Sequence, residues 1–385
     1  MRAYNERLVL TLVRRHGALA KADIARLTRL SAQTVSVIMR SLEQDGLLER
    51  GEPQRGRVGQ PSVPMSLAAD GAFFFGVKIG RRSADLVLMD FVGAVRGSLH
   101  ETFSWPSVGG ILDFIGRGVA TLSAALPADR LPRIAGIGVA TPFELWNWAK
   151  EVGAPIGAMD EWRHVDLAAD IGAILPFPVY LENDATAACG AELVFGRGAE
   201  FADFLYLFLG AFIGGGVVLD HALYPGRSGN AGAIGTMPVP GPDRRPVQLI
   251  DAASVVILER MLRAQGIDPS PLWRGPEGWA GFGETLDRWI AESAKSIAFA
   301  VVAACSVIDF SAAIIDGGFP AEVRDRLVAA VECEMNAMDL QGIEPPQIVA
   351  GAVGPDARAI GGASLPLFRR FLLDRSVLFK EHANA

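Results

Sequence analysis

The sequence predicts an α/β protein built from a small helical head and a larger body of two lobes. Three observations carry that prediction. Three short amphipathic helices and two short strands precede residue 70, two rounds of alternating strands and helices follow it, and the charge changes sign between the two parts. At 385 residues, 50% of them apolar and 21% charged, the chain has material for more than the ~250–300 residues one core sustains. The units expected are 1–70, 71–188 and 189–385, with the C-terminal helix returning to the first lobe.

In the head, residues 5–16 (NERLVLTLVRRH) place Leu8, Val9, Leu12 and Val13 at helical spacing, and Gly17 ends the pattern. Lys21 to Leu30 repeats it with Ile24, Leu27 and Leu30 inward. Ser31 then offers an N-cap for a helix over 32–44, whose apolar face is Val35, Ile38, Met39 and Leu42. The opposite face opens with Gln33, Thr34 and Ser36 and continues to Arg40. Together with Ser31, these are the residue types a recognition helix presents to base edges and phosphates in a major groove.

After Gly46, residues 47–50 and 63–67 read as short strands around a Gly-, Arg- and Pro-rich loop, 51–62, the pattern of a wing. Arg55 and Arg57 flank Gly56, and Gln60 follows, so two guanidinium groups sit on a backbone without bulk, suited to a narrow minor groove. Three helices and a hairpin also make protein-interaction modules. The charge separates the two uses: residues 1–65 hold 11 basic against 6 acidic side chains, net +5, while the remainder of this chain of net charge -7 carries -12. A basic head on an acidic body is the footprint of nucleic-acid binding by the head.

In the body, strands are expected at 73–79, 84–90, 95–103, 134–139 and 179–181, with helices at 109–126, 167–174 and 185–195. A second round begins with a strand at 204–209, a glycine turn at 210–216 and a strand at 217–219, followed by several helices. Cys189, Cys305 and Cys333 are odd in number and widely spaced, which fits a reducing compartment, and no metal-ligand spacing is present. Residues 1–15 alternate charge with apolar residues, unlike a signal peptide, and the apolar run 297–308 is shorter than the ~20 residues a membrane span needs. A cytoplasmic protein without membrane contact is expected.

Six fragments, in this order, resemble the ROK family: Gly76-Val77-Lys78-Ile79-Gly80, Leu181-Glu182-Asn183-Asp184-Ala185, Gly210-Ala211-Phe212-Ile213-Gly214-Gly215-Gly216, Gly229-Asn230-Ala231-Gly232-Ala233-Ile234-Gly235, Asp316-Gly317-Gly318 and Ala359-Ile360-Gly361-Gly362-Ala363. The family contains sugar kinases and sugar-sensing repressors on a two-lobed actin-like (ribonuclease H-like) fold of the ATPase type. Its repressor branch adds an N-terminal winged helix, as the head here suggests.

The resemblance implies that Asp184 stands at the kinases' general-base position, next to Asn183 on the sugar, although either side chain also suits the N-cap of the helix that follows. Lys78 stands where the kinases carry an acid that organises Mg-ATP, and Arg81 and Arg82 replace glycines of the phosphate turn. The family's zinc ligands are missing too: Thr236 occupies the histidine position, and 240–248 contains no cysteine. Ala233 and Ile250 replace two sugar-binding glutamates. The expectation is therefore a body without catalysis, zinc or ATP, with Asp184 vestigial and an unusual sugar or derivative contacting Thr141, Asn183, Asp184 and Gly232.

Glu144, Trp146 and Trp162 are further candidates along the cleft. The whole reads as a homodimeric, sugar-responsive repressor on a pseudo-palindromic duplex operator, with ligand-driven lobe closure moving the heads. Two rivals stay open: a ROK-type sugar kinase with a regulatory head, and a constitutive DNA binder whose body only dimerises.

Overall fold

The computed structural model describes residues 2–53, 63–142, 144–149, 153–241, 243 and 245–373. The head consists of α1 (Arg2–His16), α2 (Lys21–Thr28), α3 (Ala32–Gln44) and an antiparallel pair, β1 (Leu48–Arg50) and β2 (Met65–Leu67). α3 starts where the sequence places it because the Ser31 hydroxyl accepts the Thr34 N–H at 3.1 Å, satisfying one orphan donor of the first turn. Arg55, Arg57 and Gln60 lie outside the described residues.

The first lobe is a five-stranded sheet in the order β5-β4-β3-β6-β7. β3 (Phe73–Ile79), β4 (Ser83–Asp90) and β5 (Val95–Thr102) form an antiparallel meander, followed by α4 (Val108–Ala124), β6 (Ile134–Thr141), α5 (Leu167–Ile174) and β7 (Val179–Asn183). β6 and β7 run parallel to each other, and β6 runs parallel to β3. β3 is buried on both faces and so reads as an apolar run. Phe73, Phe75, Val77 and Ile79 pack toward α4 and α5, whereas Phe74 joins the core on the opposite face.

α6 (Asp184–Phe195) leads into the second lobe, ordered β10-β9-β8-β13-β14. Its strands are β8 (Phe204–Leu209), β9 (Ile213–Leu219), β10 (Ala222–Leu223), β13 (Ala312–Gly317) and β14 (Gln347–Ala350). A small ribbon, β11 (Pro238–Pro240) with β12 (Pro246–Gln248), and the helices α7 (Val255–Ala264), α8 (Gly283–Cys305) and α9 (Ala321–Asn336) complete it. α10 (Ala357–Phe371) then packs on β3 and β6 of the first sheet and on α6.

The glycines expected in a loop at 210–216 need correction: only 210–212 turn, and Gly214, Gly215 and Gly216 lie within β9. Close packing explains them, since a Cβ on Gly215 would meet the Tyr206 carbonyl at 2.3 Å and one on Gly216 would meet Cys189 at 2.5 Å.

One feature had no signal in the sequence. Head and first lobe share a core in which Val9, Val13, Ile38 and Met39 pack with Phe74, Phe91, Ala359 and Leu367. Phe371 at the end of α10 stands edge-on to Phe91 and Phe74, with centroids 5.1 and 5.8 Å away, and the Leu373 N–H donates to Thr11 Oγ1 at 3.0 Å. Arg133 donates to the carbonyls of Asp45, Gly46 and Gly71 at 3.2–3.5 Å, closing the C-terminal end of α3 from the body side. Arg14 of α1 donates to the Phe91 carbonyl, and burial brings its guanidinium down to about 10. The head is thus docked on the first lobe through apolar and polar contacts alike.

Candidate functional site

On α3 the apolar stripe Val35, Ile38, Met39 and Leu42 is buried, which turns Gln33 and Arg40 to solvent and leaves Ser36 half-buried. Ser31 and Thr34 are engaged in the cap, their hydroxyls 2.8 Å apart. Val37 was missed by the sequence reading. It is 56% exposed between Gln33 and Arg40, on the same face at i+4 and i+7 spacing. An outward β-branched residue in a recognition helix is the kind of group that meets a thymine methyl. Its signal was an apolar residue off the stripe. Arg50 grips Glu43 with two bonds of 2.6 and 3.1 Å, fastening the wing strand to α3.

Between the lobes, the end of β7 brings Asn183 and Asp184 to the start of α6. Asn183 Oδ1 accepts the N–H groups of Ala185 and Thr186 at 3.1 and 3.3 Å, so the cap reading of this residue holds. Asp184 Oδ2 lies 3.4 Å from Arg358 of α10, whose guanidinium also stacks 4.7 Å from the Phe208 ring centroid. Gly232 takes φ +79°, and a Cβ there would fall 2.5 Å from the Gly216 Cα, so its position is dictated by packing on β9.

Lys78 lies on the α10 face of β3 with only 6% of its side chain exposed. Its ammonium reaches Asp85 at 2.9 Å, Ser83 Oγ at 2.6 Å and the Ser83 carbonyl at 3.2 Å. Burial lowers the lysine's pKa, and Asp85 opposes that shift. Burial would raise the Asp85 carboxyl, but Lys78 and a hydrogen bond from His100 Nδ1 outweigh it and hold it well below the usual carboxylate range. The same bond raises His100, and the Trp273 backbone of the other lobe adds to that shift.

The turn after β3 spans the lobes as well. Arg81 stacks 4.5 Å from the Phe212 centroid, and Arg82 lies 3.9 Å from Glu259 while donating to the Ser104 carbonyl at 3.0 Å.

Thr141, at the end of β6, pairs with Asn183 of β7. It lines a cavity of about 420 Å³ within the first lobe, together with Glu144, Trp146, Trp162, Asp166 and Leu181. The segment after β6 folds back toward α5 and gathers these residues on the first lobe. Neither Asn183, Asp184 nor Gly232 lines the cavity.

Residues 75–249 match the ROK family, and residues 4–57 match the MarR family. The chain carries a ROK-family domain behind a MarR-type winged helix. It is 24% identical over 370 residues to the uncharacterized protein y4fQ of Sinorhizobium fredii, covering 95% of this chain and 91% of that protein. It is 26% identical over 239 residues to the xylose repressor of Caldicellulosiruptor bescii, an alignment covering 61% of this chain and 58%, less than two thirds, of the repressor. Among solved structures, a ROK family transcriptional regulator homologous to the E. coli MLC protein superposes with a TM-score of 0.68 at 18% identity, covering 98% of both chains. A ROK family glucokinase from Streptomyces griseus, solved with glucose and AMPPNP, gives 0.59 at 22% identity over 76% of this chain and 99% of that one. Those two likenesses establish the architecture, a winged helix followed by the actin-like ROK fold.

The residues of this ROK domain do not fit Mg-ATP. A buried, ion-paired ammonium stands where the acid belongs, and Arg81 and Phe212 fill the space between the two turns. Zinc fits no better. Thr236 spends its hydroxyl on the Ala233 carbonyl at 2.8 Å, and among the described residues no three His, Cys, Asp or Glu side chains cluster as metal ligands. No helix among the described residues is long and apolar enough to cross a membrane.

Proposed function

We propose that this chain is a sugar-responsive transcriptional regulator, a repressor that binds duplex DNA as a homodimer and whose ROK domain senses its effector without phosphoryl transfer. The observation that carries the reading is the outward face of α3, where Gln33, Val37 and Arg40 stand in line on a helix whose other side is fixed to the body. Ser31, Thr34 and Ser36 flank that line at the helix start, suited to phosphate. The sugar part of the reading is supported by the named function of the xylose repressor relative and by the ROK domain itself. Lys78, held by Asp85, supports the lack of catalysis.

Selection from a randomised duplex pool, followed by fluorescence anisotropy, tests the proposal. A two-fold symmetric site should emerge, bound tightly enough to be specific and more weakly as salt rises. Failure to select any sequence, together with ATP-dependent phosphorylation of a sugar that D184N abolishes, would establish the kinase reading instead. Asp184 at the head of α6 is what keeps that rival specific. Elemental analysis finding one zinc per chain would contradict the metal-free expectation.

A further inference from the structure

We propose that Arg29, in the turn between α2 and α3, grips a DNA backbone phosphate, and that it is kept there against the conformational preference of the turn. The inference rests on the DNA-binding reading and adds to it a contact outside the α3 face.

Both ends of the turn are anchored. α2 stops at Thr28, whose hydroxyl donates to the Ile24 carbonyl at 2.7 Å and accepts the Leu30 N–H at 3.2 Å. α3 starts after Ser31, which caps it through the Thr34 N–H. Between these anchors Arg29 takes φ 58° and ψ 17°, the left-handed conformation in which many helices end. A Cβ there crowds the following carbonyl, and arginine lacks the short polar group with which asparagine or aspartate compensates. Glycine adopts the same conformation without strain.

The head itself shows the ordinary solution. Gly17 follows α1 at φ 75°, and Gly46 follows the end of α3 at φ 71°. A Cβ on Gly46 would strike the Arg133 guanidinium at 2.7 Å, so packing also dictates that glycine. A Cβ on Gly17 would meet nothing within 4 Å, so conformation alone accounts for glycine there. Position 29 needs the same conformation and carries an arginine instead.

The fold makes no use of that guanidinium. Arg29 is exposed, and its side chain has no hydrogen bond or ion pair among the described residues. Other arginines of the head are engaged: Arg14 bonds the Phe91 carbonyl, Arg26 pairs with Asp23 at 3.0 Å, and Arg50 pairs with Glu43 at 2.6 Å.

Placement supplies the use. Arg29 directly precedes Leu30 and the Ser31 cap, beside the positive end of the α3 dipole and its unpaired first N–H groups. With Gln33, Val37 and Arg40 facing a groove, the anion that meets this end is a phosphate flanking the bases being read. Such a contact fixes the register of α3 and is indifferent to sequence.

The test uses the full chain, the duplex selected from the randomised pool, an unrelated duplex and three variants. R29G removes strain and charge, R29Q removes charge alone, and R29K removes neither. Thermal denaturation should place R29G ~2–3 °C above the parent, with R29Q and R29K level with it. Anisotropy should show R29G and R29Q about tenfold weaker on both duplexes, with the salt slope lower by about one unit per head, and R29K within about threefold of the parent. Unchanged affinity and slope in R29G and R29Q, on a duplex the parent selects, would overturn the proposal while sparing the DNA-binding reading. A loss confined to the selected duplex would make Arg29 a base reader and overturn the phosphate contact. A lower melting temperature in R29G would show that the arginine supports the fold. If the parent selects no duplex, the DNA-binding reading falls and takes the proposal with it.

Discussion

Replacing Lys78 by methionine tests whether this position has become structural. Lys78 Nζ makes an ion pair of 2.9 Å with Asp85 and hydrogen bonds of 2.6 and 3.2 Å to Ser83. K78M keeps the length of the side chain and its packing against β3 but strips Asp85 of its cation. Removing one partner of a buried pair costs ~3–5 kcal/mol. Asp85 is 25% exposed and retains His100, so screening brings the loss below that range, to about 2–3 kcal/mol. With a urea slope of ~3 kcal/mol/M for a domain of this size, the midpoint of the first-lobe transition falls by roughly 0.7–1 M.

The acid limb should change with it. The depressed carboxyl of Asp85 contributes stability above its ordinary value of ~3.9, and that contribution is lost as pH falls through the lowered folded value. K78M shrinks the depression, so the stability curve between about pH 5 and 2 should flatten. The double variant K78M/D85N should recover part of the loss, giving a coupling of ~1–3 kcal/mol. Equal stability of K78M and the parent in urea, or strict additivity in the cycle, would refute the idea that the acid of the phosphate site was exchanged for a structural ion pair.

Other outcomes follow from the same geometry. R40A should weaken operator binding and lower the salt slope by about one unit, whereas V37A should weaken it by ~3–10-fold with the slope unchanged, as anisotropy from 50 to 200 mM salt would resolve. F371A removes the ring that abuts Phe74 and Phe91 and should cost ~3 kcal/mol. Calorimetry of the parent should show head and first lobe melting together, and a separate low-temperature head transition would contradict the shared core. His100, faced by Asp85, Lys78, Asp356 and the Trp273 backbone, has a raised pKa. Its contribution is therefore full below ~6.5 and disappears as pH rises through the folded value, so the stability gap between parent and H100L should narrow from pH 6 to 9.

The recognition helix was legible because a 3.6-residue stripe and a serine cap are local signals, and the structure returns the same bounds, 32–44. The strands and helices of the first lobe and the strand at 204–209 were legible for the same reason, whereas β13 and β14 of the second sheet were not. The role of Gly214, Gly215 and Gly216 was not, because the pressure that selects glycine there comes from Tyr206, Cys189 and Gly232, which are distant in sequence. Docking of the head was invisible as well. Nothing in the sequence sets Phe74, Phe91 and Phe371 apart from other apolar residues, and only the folded chain shows that they share a core with the head. At the site, the grouping of Thr141, Glu144, Trp146 and Trp162 around one cavity was not legible, since the course of the chain after β6 is set by packing rather than by periodicity.

The shared core constrains how an effector could reach the DNA. α10 is packed backbone to backbone against the first sheet, where a Cβ on Gly138 would sit 1.9 Å from the Gly362 carbonyl, and against α6, where one on Gly361 would sit 2.1 Å from the Ala187 carbonyl. Head, first sheet, α10 and α6 are therefore packed against one another, and α6 also joins the core of the second-lobe sheet. Among the described residues, α6 and the Arg358–Phe208 stack join the two lobes, and the turn after β3 adds Arg81 on Phe212 and Arg82 on Glu259. A cation–π contact and a partly exposed ion pair contribute about 1 kcal/mol each, so the turn after β3 contributes ~2 kcal/mol, the size of a typical allosteric coupling of ~1–3 kcal/mol. A continuous path joins this turn to the cavity of the first lobe, from Trp162 to the Pro106 carbonyl, along the chain to the Ser104 carbonyl, and through Arg82 to Glu259. R82A should accordingly leave sugar affinity and ligand-free operator affinity within about threefold of the parent while cutting the change in operator affinity that sugar produces by ~5-fold or more. Full retention of that change in R82A would show that the signal travels by another route, and the lobe-bridging turn would then be a support for the fold rather than its switch.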